Sequence, residues 1–284
     1  MRATFLGTAA SEGYPDAFCA CVNCQHARAL GGPSLRKRSS VLINDDLLID
    51  LVPDLIAAAQ MHGVTLANLH YCLQTHEHAD HLDPSHFLSR SPFSGVHDAP
   101  HLHFFATQGA IDGALRSIGT HHSVDSLITS GTSESFRLSV HAIEPFQTFA
   151  VGPYQVHSVR AAHDPTIIAL LYVIERDGRS VFYGTDTGPL PEATWTALRN
   201  GRHRFNVVIL DHTFGLKERA SGHLNREQFL EQIARMRDEG LLADDVRIFA
   251  HHLAHHSNPV HPELVELAAH DGYAVAYDGL AIVI

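Results

Sequence analysis

The residues with the clearest capacity for chemistry lie at positions 76–81, which read His-Glu-His-Ala-Asp-His. The stretch before them, 69–74, is short and apolar, which predicts a buried strand that ends where the polar residues begin. His76 and His78 would project to the same side of an extended segment, because side chains there alternate with a period of two. Imidazole together with carboxylate suits zinc, manganese or iron. We therefore predict a metal site, with Asp80 and His81 directed to a second ion beside the first.

Other strand-like runs also end in residues that bind metals. His163, Asp186, Asp211 and the pair His251-His252 each follow an apolar run directly or within a few positions. Packing alone does not explain why so many strands deliver histidine or aspartate at one end. We interpret these residues as parts of one site at a sheet edge, where a bridging carboxylate could hold two cations close together.

The cysteines suggest a separate metal site. Cys19, Cys21 and Cys24 form a Cys-x-Cys-x-x-Cys cluster, which in an intracellular chain indicates metal binding rather than disulfides. Cys72 lies within a predicted strand, and we expect it to be a small buried hydrophobic residue. The histidine-rich run at 251–256 contains a single pair spaced by three positions, His252 with His255.

The elements that must position these residues can be predicted from apolar periodicity. Strands are expected at 3–6, 40–43, 47–49, 69–74, 102–106, 136–143, 154–159, 168–174, 181–183, 207–210, 247–250, 273–276 and 281–284. Helices are expected at 53–61, 110–118, 192–198, 226–239 and 262–270. Asp83-Pro84 suits the start of a short helix, and Asp278-Gly279 between two apolar runs suits a hairpin turn. This pattern favours two packed sheets covered by helices.

The hexapeptide matches the H-x-H-x-D-H signature of the metallo-β-lactamase superfamily. Residues 7–15 and the cysteine cluster after them resemble the opening of the PhnP phosphodiesterases of the carbon–phosphorus lyase pathway, and also that of the coenzyme PQQ synthesis protein B. The resemblance implies an α+β fold, the αββα sandwich of two packed mixed β-sheets flanked by helices. We expect a single domain over residues 1–284, with an N-terminal zinc-binding loop at about 8–38.

The resemblance to the PhnP group also implies a set of ligands. In that group three such cysteines and a late histidine hold a structural zinc, while the histidine three positions earlier belongs to a catalytic pair of metals. Carried onto this sequence, the structural zinc site comprises Cys19, Cys21, Cys24 and His255, a closed Cys₃His set. The dinuclear centre, with two divalent catalytic metals (zinc or manganese), comprises His76, His78, Asp80, His81, His163, Asp186 and His252.

His223 occupies the position of the general acid that protonates the leaving group in the PhnP group and in related tRNA-processing phosphodiesterases. We predict His223 and Asp80 as catalytic residues. Asp211 lies in a segment similar to the loop that carries a supporting aspartate in those enzymes, and no role is assigned to His212.

Together these residues predict a dinuclear metal-dependent phosphodiesterase that acts on a small phosphodiester, cyclic ones included. Paired cations would activate water for attack at phosphorus, and His223 would protonate the departing alkoxide. One alternative is a PQQ-biosynthesis-like protein that oxidises or carries a cofactor precursor, although members of that family typically lack an intact H-x-H-x-D-H motif. Another alternative is a binding protein that retains only the structural zinc.

The charge balance limits the choice of partners. With 20 basic and 31 acidic residues the net charge is −11, so we expect no nucleic-acid partner. No run of about 18 apolar residues occurs, so we expect no membrane partner, and the first residues lack a secretory signal, which favours the cytoplasm. A homodimer remains open. The basic patch Arg36-Lys37-Arg38 either lies in a solvated loop or faces a phosphate group.

Overall fold

Two β-sheets packed face to face form the centre of the molecule. A computed structural model describes residues 1–119, 132–133 and 136–284. The first sheet contains β1 (Arg2–Gly7), β2 (Ser40–Ile43), β3 (Leu47–Ile49), β4 (Tyr71–Leu73), β5 (Leu102–Ala106), β6 (Thr132–Ser133), β7 (Leu138–Ala142) and β15 (Ala281–Val283). The second contains β8 (Thr148–Val151), β9 (Tyr154–Arg160), β10 (Leu170–Arg176), β11 (Arg179–Gly184), β12 (Phe205–Asp211), β13 (Leu242–His251) and β14 (Ala274–Val275).

Both sheets combine parallel and antiparallel pairing. The first has the strand order β15-β1-β2-β3-β4-β5-β7-β6, and the second has the order β14-β13-β12-β11-β10-β9-β8. Strands β3, β4, β5 and β7 run parallel to one another, as do β11, β12, β13 and β14. Within each parallel group the carboxyl ends of the strands meet at one edge, where the residues that follow them can converge.

Helices cover the outer faces of both sheets. They are α2 (Leu55–His62), α3 (Ser85–Ser89), α4 (Gln108–Gly119), α5 (Glu192–Gly201), α6 (Arg226–Asp238) and α7 (His261–Asp271). Helix α1 (Val22–Leu30) lies apart from them and packs through Ala27 with Ala9, Tyr14 and Val260. Short 3₁₀ turns lie at Gly32–Ser34 and Pro92–Ser94. Within the described residues, no helix has both the length and the apolar character needed to cross a bilayer.

Alternating strand residues divide the core into an inner and an outer layer on each sheet. In β12, Val207 and Ile209 face the other sheet, whereas Val208 and Leu210 pack beneath helices. The outer layer of the second sheet includes Trp195 of α5, and that of the first sheet contains residues from α2, α3 and α4. The predicted αββα sandwich is confirmed.

Most predicted elements are present, several with the predicted bounds, such as β2, β3 and β5. Three elements in the described residues were not predicted: β6, β8 and helix α1. The helix α1 begins within the cysteine cluster, where Cys21 caps it by accepting a hydrogen bond from the Cys24 amide. The cysteines of this segment have the spacing of metal ligands, which predicts a metal site, and Cys21 also caps a helix, which the spacing does not predict.

The prediction of a hairpin at Asp278-Gly279 is wrong. The flanking strands belong to different sheets, since β14 pairs with β13 and β15 pairs with β1. The Asp278 side chain is buried and accepts hydrogen bonds from the Thr8 hydroxyl and the Lys37 amide, at 2.8 and 2.7 Å. The turn therefore connects the two sheets and anchors the N-terminal loop.

Two smaller predictions are resolved by the structure. Helix α3 begins at Ser85, one residue later than predicted, and Asp83 Oδ1 accepts a hydrogen bond from the Ser85 amide at 2.9 Å. Cys72 is fully buried against the α2–α4 layer, as predicted.

Candidate metal centre and catalytic site

The polar residues predicted to bind metals converge at the carboxyl ends of the strands. The loop after β4 carries residues 76–81, His163 follows β9, and Asp186 follows β11. Asp211 ends β12, and His252 follows directly after β13. These segments come from both sheets, so the site lies at the edge where the two sheets meet.

One group of ligand atoms belongs to three histidines. The nearest ring nitrogens of His76, His78 and His163 all lie within 4.8 Å of one another. His163 Nε2 is 3.1 Å from His78 Nδ1, and the His76 and His78 rings are 4.5 Å apart between centroids. Three imidazoles with ring nitrogens this close together form the donor set of a zinc-type site with an open position.

A second group adjoins the first through Asp186. Ligand atoms of Asp80, His81, Asp186 and His252 lie within 4.8 Å of one another. His81 Nε2 is 3.2 Å from one Asp186 oxygen and His252 Nε2 is 2.9 Å from the other. The oxygen nearer His81 is also 3.9 Å from His163 Nε2. Asp186 therefore lies between the two groups, in the position of a bridging carboxylate.

Several of these buried atoms have no aligned hydrogen-bond partner. They are His76 Nε2, His81 Nε2, His252 Nε2 and Asp186 Oδ1. Although His252 Nε2 and Asp186 Oδ1 are close, their geometry is not that of a hydrogen bond. Leaving such groups unsatisfied in the interior is costly, roughly 1–3 kcal/mol each. Buried nitrogen and oxygen atoms that lie this close together without forming hydrogen bonds fit the binding of divalent cations.

The electrostatics of the centre favour ionised carboxylates. Burial acts to raise the pKa of Asp186, but His252 and His81 outweigh burial and hold this pKa well below its ordinary value. Burial also acts to raise the pKa of Asp80, and here His81 and His252 reverse the direction. Burial keeps the pKa of His76 well below its ordinary value, so the ring is neutral, which is the form that ligates metals.

Asp50 was not predicted as a site residue, but it contacts His81 on the ring nitrogen opposite the one that faces Asp186. Its carboxylate accepts hydrogen bonds from the Thr75 amide at 2.7 Å and from Gln74 Nε2 at 3.0 Å, and it lies 2.8 Å from His81 Nδ1. A carboxylate that accepts a hydrogen bond from one ring nitrogen of a histidine fixes the direction in which the other ring nitrogen points. Asp50 directly follows strand β3, so the strand-end pattern that pointed to Asp186 could have found it.

His223 faces the same centre from the segment before helix α6. Its Nδ1 lies 2.9 Å from Asp211 Oδ2, and its ring stacks on His252 with centroids 5.6 Å apart. Burial lowers the pKa of His223, but the charge and hydrogen bond of Asp211 outweigh burial and raise it above its ordinary value. Asp211 is itself held by the Thr213 and Leu224 amides, at 3.0 and 3.1 Å.

Local backbone conformation helps to place these side chains. Asn225 caps α6 with a capping box, which starts the helix just after His223. Gly222 has a φ of 87°, and its carbonyl lies 3.2 Å from His163 Nδ1. His252 has a φ of 58°, a left-handed conformation that is uncommon outside glycine and often occurs at functional sites.

A small cavity of about 350 Å³ opens over the centre. Its walls include the predicted ligands His78, Asp80, His163, Asp186 and His252, together with His223. The remaining walls are formed by Ala10, Ser11, Glu12, Thr213, Phe214, Ala254 and His256. The cavity is of a size that admits a small molecule while contacting both ligand groups and His223.

The cysteine cluster forms a second, separate group with His255. One ligand atom from each of Cys19, Cys21, Cys24 and His255 lies within 4.8 Å of the others, and Cys21 Sγ is 3.5 Å from His255 Nδ1. All three thiols are free. Burial acts to raise the pKa of the Cys21 thiol, but the Cys24 amide and His255 lower it to about 6. The Cys21 thiolate is the form that ligates zinc.

The other histidines of these segments have structural contacts. His212, fully buried, lies 2.9 Å from Asn258 Oδ1, and His251 Nε2 lies 3.1 Å from the Gly7 carbonyl. His256 lines the cavity and lies 2.9 Å from Lys217 Nζ.

The structure places the basic patch outside the cavity wall and only partly in solvent. Arg36 is buried and donates to the Thr8 hydroxyl, while Arg38 pairs with Asp54. Lys37 lies 3.6 Å from Asp278. The three basic side chains therefore interact with other residues of the chain, and none of them lines the cavity.

Comparisons with known proteins agree with this architecture. Residues 46–244 match the family described as the beta-lactamase superfamily domain. The fold is similar to that of a diphosphatase from the PhnP family, with a TM-score of 0.74, 21% identity and coverage of 99% of this chain and 97% of that one.

Two further structures are similar over almost their whole length. Zn²⁺-bound PqqB from Methylobacterium extorquens has a TM-score of 0.71 and 19% identity, with all of both chains covered. The short form of human tRNase Z has a TM-score of 0.67 and 16% identity, with 100% of this chain and 99% of that one covered. No curated protein matches the sequence.

Proposed function

The chain belongs to the beta-lactamase superfamily of metal-dependent hydrolases, and we propose that it is a dinuclear phosphodiesterase acting on a small phosphodiester. One observation carries the proposal. Asp186 belongs to one group of metal-type ligands and lies 3.9 Å from His163 of the other, and His223 faces the same cavity, oriented by Asp211. This arrangement combines the groups needed to hold a phosphate ester and to protonate its leaving oxygen.

The residues divide between two positions. His76, His78 and His163 would hold one divalent cation, Asp80, His81 and His252 the other, and Asp186 would bridge them. When bound, such a pair lowers the pKa of water and neutralises charge on phosphate oxygens. The nitrogen and oxygen donors suit zinc or manganese. Asp50 and Thr75 keep His81 and His76 in their orientations, at 2.8 and 2.9 Å.

His223 would donate the proton to the leaving group. Its Nδ1 is engaged by Asp211, which leaves Nε2 as the nitrogen available to a bound ester. Its side chain is 19% exposed, so it is accessible from the cavity, while Asp211 is fully buried. A positioned acid of this kind contributes roughly 10²–10⁴-fold to the rate.

The substrate should be small and should not be a nucleic acid. The cavity of about 350 Å³ has room for a compact ester, and the chain carries a net charge of −11. Extended phosphate backbones bind to basic surfaces, which such a charge balance disfavours. The similar PhnP-family structure is that of a diphosphatase, so a phosphoanhydride should be tested beside phosphodiesters.

The test uses the full chain loaded with zinc or manganese and assayed with bis(p-nitrophenyl) phosphate, small cyclic phosphodiesters and a diphosphate ester. We expect hydrolysis of the diesters, and we expect H76A and D186A to lose turnover together with the two metals of the dinuclear centre. His270, whose side chain is 89% exposed, provides the matched control H270A. Wild-type protein that carries both metals and hydrolyses none of these esters would refute the proposal.

The same measurements address the alternatives. A binding protein with structural zinc alone would retain its single equivalent in H76A and D186A. A protein that handles a cofactor precursor would hold the dinuclear metals without hydrolysing any ester. The intact H-x-H-x-D-H motif at 76–81 favours the hydrolase over both.

A further inference from the structure

A further group of potential metal ligands lies away from both the dinuclear centre and the cysteine site. It comprises His157 in β9, Glu175 in β10 and His203 in the loop between α5 and β12. Strand β9 runs toward His163, whereas β10 runs antiparallel to it and Glu175 is its penultimate residue. Glu175 and His203 therefore lie toward the end of the second sheet opposite the proposed dinuclear centre. No residue of this group lines the cavity above that centre.

Ligand atoms of the three side chains lie nearly as far apart as those around a tetrahedral ion. His203 Nδ1 is 2.9 Å from Glu175 Oε1, and His157 Nε2 is 3.3 Å from Glu175 Oε2. One ligand atom from each residue lies within 4.8 Å of the others. Zinc bonds to nitrogen and oxygen are about 2.0–2.2 Å long, which separates neighbouring ligand atoms by about 3.3–3.6 Å. Only small side-chain movements would be needed to accommodate an ion.

Surrounding residues already fix the orientation of both imidazoles. The second ring nitrogen of His157, Nδ1, lies 2.8 Å from Thr148 Oγ1, the kind of contact that orients metal-ligating histidines. The His203 ring packs beside Gly201, where an added Cβ would come within 2.2 Å of its Nε2. Gly201 therefore leaves the space that this ring occupies.

The charges around the group favour a cation. His157 and His203 lower the pKa of Glu175 to about 2, so the carboxylate is ionised at neutral pH. Three arginines line a cavity together with Glu175, and each is paired with an aspartate: Arg176 with Asp177, Arg179 with Asp245 and Arg204 with Asp244. Gly201 ends helix α5, and the C-terminal end of a helix carries partial negative charge.

From this geometry we propose that His157, Glu175 and His203 form an additional binding site for a zinc-class divalent cation, separate from the dinuclear and cysteine sites. Two imidazoles and one carboxylate form a His₂Glu donor set, which leaves the fourth position to solvent. Water can reach it, because the side chains of His157 and Glu175 are 18% and 29% exposed. The ion would tie the loop before β12 to the outer face of β9 and β10.

The test is a zinc count on the full chain after incubation with zinc and removal of unbound metal by gel filtration. We expect wild-type protein to hold one equivalent more than either H157A or E175Q. Two controls remove comparable groups elsewhere: H270A takes away an exposed histidine, and D112N changes an exposed carboxylate on α4. Both controls should keep the wild-type count.

Equal zinc counts in the wild type, H157A and E175Q would overturn the proposal and leave the group as an ion-paired cluster. Circular dichroism of each variant shows whether it is folded. His157 is a partly exposed strand residue, so we expect H157A to fold. If E175Q unfolds, the zinc count of H157A alone tests the proposal. Because the readout is metal content rather than turnover, it remains valid whether or not the chain hydrolyses phosphodiesters.

Discussion

At the scale of single residues, experiments can separate two proposed roles: proton donation by His223 and positioning of its ring by Asp211. Asp211 accepts hydrogen bonds from three backbone amides and lies 2.9 Å from His223 Nδ1 but 4.0 Å from His252 Nδ1, so we expect it to act through His223. Its effect on catalysis should therefore appear as a loss of proton donation while the metals stay bound.

We predict that H223A and D211N lower kcat far more for diesters with an alkoxide leaving group than for bis(p-nitrophenyl) phosphate. An alkoxide must be protonated as it departs, whereas nitrophenolate leaves readily without a proton. A positioned acid supplies roughly 10²–10⁴-fold, and we expect this loss with the alkoxide substrate. The measurement is kcat for both substrates with metal content determined in parallel. Equal losses for the two leaving groups would contradict the role of His223 as acid.

Asp50 offers a second prediction at this scale. We expect D50N to weaken metal binding at the dinuclear centre about 10–100-fold, since removing the carboxylate behind a ligating histidine releases its orientation. Asp50 is fully buried against His81, Gln74 and Thr75. Competition with a chromophoric chelator measures the affinity, and D112N on the surface of α4 is the control. Unchanged affinity in D50N would show that His81 is held by other contacts.

At the scale of elements, the N-terminal loop and the loop after β13 depend on each other. The side-chain amide of Asn23 donates to the carbonyls of His255 and Asn258, at 2.8 and 3.0 Å. Tyr14 donates to the same Asn258 carbonyl at 3.0 Å. His252 and His255 lie in the same loop, so the cysteine site also helps to place a ligand of the dinuclear centre.

We predict that C24S loses one zinc and destabilises the chain by on the order of 4 kcal/mol, the size expected when a structural metal is lost. In a domain of this size the unfolding midpoint should fall by roughly 8–16 °C. C72A is the matched control, because Cys72 is a buried thiol that belongs to none of the groups of potential metal ligands among the described residues. Thermal unfolding and zinc content are measured together, and a C24S variant that keeps the wild-type zinc content would disprove the Cys₃His assignment.

At the scale of the whole molecule, the metals should contribute to cohesion between the sheets. Ligands reach the centre from the first sheet through His76 and His81 and from the second through Asp186 and His252. Without cations these buried atoms lack aligned partners. The two sheets should therefore be held together less firmly when the metals are removed.

We predict that chelation lowers the stability of the whole chain and that added zinc or manganese restores it. A ligand that binds only the native state stabilises it by about 4 kcal/mol at a thousandfold excess over its Kd. Urea unfolding followed by circular dichroism, with and without chelator, measures the difference. An unchanged midpoint would mean that the polar centre is stable without metal.

Much of the site could be predicted from the sequence, because a few neighbouring residues determine both the types of potential ligands and their spacing along the chain. The hexapeptide at 76–81, the cysteine spacing and the strand-end positions of His163 and Asp186 pointed to segments that the structure brings together. Strand and helix periodicity located most elements for the same reason. These signals span only a few residues and need no knowledge of distant contacts.

The tertiary structure alone decided which distant segments meet. Thr8 contacts Asp278 across 270 positions, and His157, Glu175 and His203 converge from three separate segments without any shared motif. Strands β14 and β15 joined different sheets although the turn between them looked like that of a hairpin, and Arg36 became buried although its neighbours are charged. Local patterns specify the chemistry of a residue and the face on which it lies. Its partner depends on how whole layers pack, a long-range balance that no short stretch of sequence contains.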